Sequence, residues 1–453
     1  MSRYLSQLKE AVTGAADTTL VFVCNFEVER QWATGHVGLP GVAVASAPAV
    51  VQRMEELGVL LAGPADHLLL KHPLDTGYLD YLTRLGFRVP AVLCPERTHP
   101  DRSTTEDALD SPDLLRTLRG LSPGARLLPM GAAVGEQKLA DSCGLSLAGA
   151  GADVAERVNG KVYGRRLTAR AGLREVPGHC CETVDELAEA LGTLDAVGRP
   201  LVVKDAYGVS GRGLVVVDTP ARAGQLMRLV RRRAERTGDD RIEVVVEQWL
   251  PRRHDLNYQL TVTRDGGVRF DFVKQALTEA GVHKGHLMPA ALTGAHRAEI
   301  EHAAQSVGAA LYRDGFTGVA GVDAIIDTDG QLYPVLEINA RLNMSTYQGG
   351  VVERYQPPDG IGLARHYTLR LRATCPFDAV ESALDRAQRG TGGRIVVTSF
   401  GTLNAAAPSA STAEPFDGRL YAMLFAPGRP SLDALDGAVR QALGRIPQVL
   451  EVR

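Results

Sequence analysis

GVDAIIDTDGQLYPVLEINAR, residues Gly321 to Arg341, carries the pattern of a β-hairpin. The apolar runs Val319 to Ile326 and Leu332 to Ile338 flank Asp327-Thr328-Asp329-Gly330, where Gly330 supplies the φ > 0 residue that closes a three-residue loop. With Thr328, Asp329 and Gly330 as that loop, Asp323 falls opposite Val335. Alternation of side chains then places Glu337 and Asn339 on the face of Asp323. Two carboxylates and an amide oxygen converge on one patch. Carboxylates gathered in an apolar hairpin must be paired or bind a cation, and all-oxygen donors suit Mg2+, which completes its octahedron with water and substrate phosphates. A half-exposed hairpin whose polar face meets water fits the same pattern, so the rest of the chain decides between them.

The chain has 453 residues, 45% hydrophobic and 23% charged, as expected of a globular protein of two or three domains. A net charge of -3 leaves no basic footprint for nucleic acid. Nothing is long and apolar enough to cross a membrane. The opening MSRYLSQLKEAVTG has no signal-peptide hydrophobic region, so a cytoplasmic location is expected. The six cysteines are scattered without a CxxC pair and read as reduced packing residues. Only seven of the 50 basic residues are lysines, which makes each lysine informative, and four of them fall mid-chain: Lys161, Lys204, Lys274 and Lys284.

From about Thr18 to Gly151, strand-like runs (Leu20 to Cys24, His67 to Lys71, Val89 to Leu93, Arg126 to Leu128) alternate with helical stretches, the pattern of βα units in a small parallel sheet. No GxGxxG follows VFVCNFEVER, so no nucleotide is expected there. Asn25, Glu27, Glu29 and Arg30 lie where open α/β sheets bind ligands, although ordinary surface polarity explains them equally. Further on, Asn159-Gly160-Lys161 opens a helix with Asn159 as the expected N-cap. Lys161 opposes the helix dipole, a placement that points to an anionic ligand nearby.

In PLVVKDAYGVSGRGLVVVD a strand delivers Lys204, a loop carries Gly208, Ser210, Gly211, Arg212 and Gly213, and the strand Leu214 to Val217 returns. Such a hairpin presents backbone N–H groups and a lysine charge to phosphates, or is a bare turn. The next strand ends in Glu247-Gln248-Trp249-Leu250 before Pro251 breaks it, and another begins near Asp255. The break frees backbone groups for an edge-on ligand such as adenine. Lys274 to Leu292 holds His283, Lys284 and His286 in a glycine-flanked loop, a candidate lid, and His296 to Arg313 is a packing helix. From Cys375 a helix, the strands Arg394 to Phe400 and Arg419 to Phe425, and a final helix read as a small α+β appendage.

Across roughly residues 155 to 372 the order of these motifs resembles the ATP-grasp superfamily of carboxylate-amine ligases. The resemblance rests on a helix-start lysine, a strand lysine before a glycine-rich loop, a Glu-x-x-Leu strand break, an Asp on one strand and Glu-x-Asn-x-Arg on the next. It implies a fold of mixed α/β and α+β class in three parts: a small parallel-sheet pre-ATP-grasp domain (1–154), a two-lobed ATP-grasp core (155–374, with the glycine-rich subdomain at about 173–250) and a C-terminal α+β domain (375–453).

Carried over by position, Lys161 and Lys204 would contact the phosphates of ATP under the loop Gly208 to Gly213. Glu247, Trp249 and the backbone of Gln248 and Leu250 would hold adenine, and Asp255 the ribose. Asp323, Glu337 and Asn339 would bind magnesium, as two ions and with manganese as a substitute. Arg341, with His283 and Lys284 from the candidate lid, would act at the reaction centre. Two departures are evident: Asp205 follows Lys204 where proline is common, and Asp255 lies one residue further from Glu247 than in some members.

The N-terminal VFVCNFEVERQW region, the grasp core and the appended C-terminal domain together are similar to the pheganomycin-type peptide ligases. That resemblance implies coupling of an amino-acid-like carboxylate to the amine of a peptide or amino acid through an acyl phosphate, with release of ADP, in antibiotic or related natural-product biosynthesis. Small-molecule substrates, no nucleic acid, no membrane and a homodimer are the matching expectations. A carboxylase, another carboxylate-amine ligase or a non-catalytic nucleotide-binding module is the alternative.

Overall fold

Short, fully apolar strands need cover on both faces, and Leu20–Val23, buried at all four positions, takes the centre of a parallel five-stranded sheet. The computed structural model describes residues 2–39, 48–195, 198–208, 213–279, 282–408 and 414–453. In that first sheet Leu20–Val23 is flanked by His67–Leu69 and then Ala91–Leu93 on one side, and by Arg126–Pro129 and then Ser146–Leu147 on the other. The alternating strands and helices expected from the sequence are all present here. The helix Arg3–Thr13, whose first turn is capped by the Ser2 hydroxyl accepting from Leu5 N–H, packs beneath the sheet. It is held there by charge as well as by leucines. The Lys9 ammonium donates to Asp66 at 2.6 Å with both side chains buried, and the same carboxylate accepts from the N–H groups of Leu20 and Gly63.

A second, antiparallel sheet runs in the order Gly178–Thr183, Arg241–Gln248, Leu201–Asp205, Leu214–Val217. Lys204 stands opposite Leu214 on the two strands that flank the glycine-rich segment. The arginine-rich helix Pro220–Thr237 starts at the Thr219 cap and buries Leu226 and Val230 against this sheet.

The third and largest sheet positions the hairpin of residues 321–341. Its order is Leu332–Asn339, Gly318–Asp327, Arg252–Val262, Val268–Glu279, Val282–Met288, Ile361–Leu371, Phe416–Ala426, Arg394–Ser399, with Val449–Val452 also pairing to Ile361–Leu371. Two expectations are corrected here. The stretch from Lys274 to Leu292, expected as a loop, contributes two antiparallel strands, Val268–Glu279 and Val282–Met288. The glycine that suggested a loop serves a close approach instead, since a Cβ on Gly285 would lie 2.2 Å from the carbonyl oxygen of Ala364 on the neighbouring strand. The C-terminal strands, expected as an appendage, extend the same sheet through Ile361–Leu371. One apolar cluster runs from Leu5 and Phe22 through Tyr347 and Tyr367 to Val439 and Val449, so the first and last parts of the chain share a core. Among the described residues no helix is long and apolar enough to cross a membrane.

Asp66→Ala strands the Lys9 ammonium in that core. Removing one partner of a buried pair costs about 3–5 kcal/mol, and urea unfolding followed by circular dichroism should show a loss of this size.

Candidate functional site

The hairpin closes as its sequence predicts. Asp327 N–H donates to Gln331 O at 3.0 Å, and Gly330 has φ 82°. Beyond the first two pairs, Ile326 with Leu332 and Ile325 with Tyr333, the ladder shifts, and Asp323 faces Glu337 rather than Val335. Pro334 is the physical reason, because it has no N–H to give to the ladder. Residues 334–336 together span the position of Ala324, and the shift sets the two carboxylates directly across from each other. The next strand places Asn257 opposite Asp323. Its amide donates to Asp323 Oδ1 at 2.7 Å, while Asn339 Nδ2 approaches Oδ2 at 3.4 Å. Asn257 was missed in the sequence reading, although alternation from Asp255 put it on the same face.

Partial burial, followed by the Glu337 charge, pushes the Asp323 carboxyl up to about 6. Burial acts the same way on Glu337, but the Lys161 ammonium, with Lys204 and Arg341, outweighs it and holds that carboxyl below its usual range. Lys161 opens the helix Lys161–Arg170, whose N-cap is Gly160 without a side-chain bond. Asn159, expected as the cap, instead ends the preceding helix and donates to the carbonyls of Ala155 and Ala340. This ties the Lys161 helix to the end of the Glu337 strand. The Lys161 ammonium reaches Glu337 Oε1 at 2.8 Å and Gly208 O at 3.0 Å, so one cation joins the hairpin to the glycine-rich segment.

Across the cleft, Lys204 donates to Glu247 at 2.6 Å and Arg165 to its other oxygen at 2.9 Å. The cleft itself is lined by Lys161, Arg165, Thr168, Lys204, Glu247 and Val335 among others. Arg165 was also missed, being indistinguishable in sequence from the many surface arginines. Arg341 donates through Nε to Glu29 Oε1 at 2.8 Å and again through a second N–H, and it reaches Asn339 Oδ1 at 3.1 Å. Glu29 lies in the short helix Val28–Trp32 that follows the first strand, so the N-terminal part of the chain touches the candidate reaction centre.

The remaining expected residues are placed unevenly. Gln248 N–H is taken by Pro177 O and Trp249 N–H by Pro200 O, which engages part of the backbone expected to meet adenine. Leu250 is buried, and the Trp249 ring lies under the Arg252 guanidinium at 4.5 Å. Asp255 pairs with Arg252 at 2.9 Å. Gly213 takes the left-handed conformation, φ 78°, where its carbonyl accepts from Asp205 N–H. Ser210, Gly211 and Arg212 lie outside the described residues. Lys284 and His283 occupy the strand Val282–Met288 near its hairpin end, two strands from Asn257, and the fold does not gather Lys284 into the Asp323 cluster. The side chain of His283 lies outside the described residues.

Asp323, Glu337 and Asn339 offer side-chain oxygens on one face, with the two carboxylates directly across from each other. This set fits a hard divalent cation. Losing one ligand should weaken the site by at least about 10-fold, so Glu337→Gln and Asn339→Ala should each reduce Mn2+ binding in the presence of ATP, read by electron paramagnetic resonance. Lys204→Ala should weaken ATP binding by calorimetry and, because it also takes one of the two cations from the buried Glu247 carboxylate, should lower the unliganded melting temperature.

Residues 54–145 match the Pre ATP-grasp domain family, and residues 161–348 match the family described as carbamoyl-phosphate synthase L chain, ATP binding domain. The chain is 27% identical over 366 residues to the [butirosin acyl-carrier protein]--L-glutamate ligase of Niallia circulans, covering 80% of this chain and 81% of that protein. It is 24% identical over 268 residues to the carbamoyl phosphate synthase large chain of Xanthomonas campestris pv. campestris, of which it spans 24%. In fold it resembles the biotin carboxylase domain of Hydrogenobacter thermophilus 2-oxoglutarate carboxylase, crystallised with MgADP and bicarbonate, at a TM-score of 0.55 and 14% identity over 96% of this chain and 91% of that one. The two family matches and the Niallia circulans relative together support an ATP-grasp carboxylate-amine ligase.

Proposed function

We propose that this protein joins an amino-acid-like carboxylate, of the glutamate type, to the amine of a peptide or amino acid, with ATP as the energy source and ADP and phosphate as products. The observation that carries the proposal is the position of Lys161, whose ammonium bridges the Asp323–Glu337 cluster and the glycine-rich segment. A phosphate chain lying between those two elements replaces the carboxylate partners of Lys161 and Lys204 with its own charge. The named activity of the Niallia circulans relative supports glutamate as the acid and natural-product biosynthesis as the setting.

Asp323, Glu337 and Asn339 would hold magnesium, as a pair of ions that manganese can replace. Bound there, the metal supplies neutralising charge to the β- and γ-phosphates. The chain's own groups do the rest. Lys161 and Lys204 fix the phosphates and offset charge as a carboxylate oxygen of the acid bonds to the γ-phosphorus and the bond to ADP breaks. Arg341, held by Glu29 and Asn339, would stabilise the acyl phosphate and then the tetrahedral oxyanion formed by the attacking amine. Phosphate leaves and the amine's proton passes to solvent. Glu247 keeps Lys204 and Arg165 oriented toward the cleft. The protein acts in the cytoplasm, as a homodimer, on small-molecule substrates.

The bond broken in ATP tests this reading, because an adenylating ligase makes the same amide. With ATP, magnesium and a competent acid–amine pair, ADP and orthophosphate should form in equal amounts with the amide, measured by chromatography and product mass. AMP and pyrophosphate in those amounts would overturn the acyl-phosphate route.

A further inference from the structure

Lys274 is a buried cation without a carboxylate partner among the described residues. It is 1% exposed, and among those residues its ammonium makes no hydrogen bond and rests on the Phe272 ring at 4.8 Å. Burial pushes its ammonium down to about 7. The neighbouring carboxylates are committed elsewhere: Asp271 to Arg269, Gln259 and Thr261, and Asp323 to Asn257. An unpaired charge in such surroundings is costly, and a methionine would fill the same volume without that cost.

The register places this lysine with care. Lys274 stands opposite Asn257, Asn257 opposite Asp323, and Asp323 opposite Glu337, so four polar side chains form one row across four strands. The neighbouring Val273 belongs to the apolar cluster on the other face, together with Leu256 and Tyr258. Two strand spacings separate Lys274 from Asp323, about 10 Å. Lys161 meets the Glu337 end of the row and Lys274 terminates the opposite end. The nucleotide phosphates belong to the first lysine, beside Gly208 and Lys204. The second lysine stands at the end of the row away from Lys161 and Lys204.

We propose that Lys274 is a substrate-binding residue, whose ammonium pairs with a carboxylate of the acid substrate and so positions that acid against the Asp323 cluster. The pairing relieves the buried charge only when the acid is present, which makes the lysine a selector for substrates carrying an anionic group at that distance. The inference rests on the ligase reading given above.

The test measures binding of L-glutamate, and of a panel of other amino acids, to the full chain with saturating MgATP by thermal shift and calorimetry, for the wild type, Lys274→Met and Lys274→Arg. Lys274→Met should melt no lower than the wild type without ligands and keep the full MgATP-induced shift. It should bind the acid at least tenfold more weakly, with Lys274→Arg recovering part of the loss. A merely structural lysine predicts a lowered melting temperature and unchanged acid affinity. Unchanged affinity in Lys274→Met, with a wild type that binds the acid, overturns the assignment of Lys274 and leaves the ligase reading standing. A wild type indifferent to every acid in the panel overturns both.

Discussion

The constraint on which the rest of the site depends is electrostatic: Asp323 and Glu337 sit across from each other on an apolar hairpin and have to be neutralised. Lys161 meets that demand at 2.8 Å and, by also holding Gly208 O, turns a local need for charge into a link between two sheets. The same logic operates on the other wall, where Glu247 keeps Lys204 and Arg165 in place. Lys161, Lys204 and Arg165 are therefore already oriented by protein carboxylates. Exchanging one anion for another costs less than ordering a lysine from solution.

The N-terminal domain reaches both walls of this cleft. Glu29 takes Arg341 on the hairpin side, and Leu342 N–H donates to Met130 O at 2.8 Å. On the opposite side Glu243 N–H donates to Val37 O, Leu39 N–H donates to Asp205, and the His36 ring lies between Glu156 and Glu243. The pairing of His36 with these two carboxylates overcomes the effect of its burial and raises its affinity for a proton. A short segment after the first strand thus braces the glycine-rich subdomain against the hairpin. The shared apolar cluster does the same for the C-terminal strands, which close the sheet that carries the site.

Where the sequence and the structure part company, the cause is a neighbour that no local pattern announces. The loop of the hairpin was legible because Gly330 and the flanking apolar runs are local features. The register beyond it was not, because the ladder slips at Pro334. Gly285 looked like a loop residue, yet its role is to let the Ala364 carbonyl approach. Asn159 had the chemistry of a helix cap, and tertiary contact with Ala340 O claimed its amide instead.

Residue type and spacing by themselves determined that a parallel sheet comes first, that Asp323, Glu337 and Asn339 share one face, and that Lys161 and Lys204 precede a glycine-rich turn. Those properties follow from periodicity and turn chemistry, which act over a few residues. Only the tertiary structure decided which cation meets which carboxylate, that Arg341 belongs with Glu29, 312 positions away, and that Lys274 ends the row begun by Glu337. Pairing of charges depends on distance through space and on loss of water, and neither is written in the order of residues along a chain.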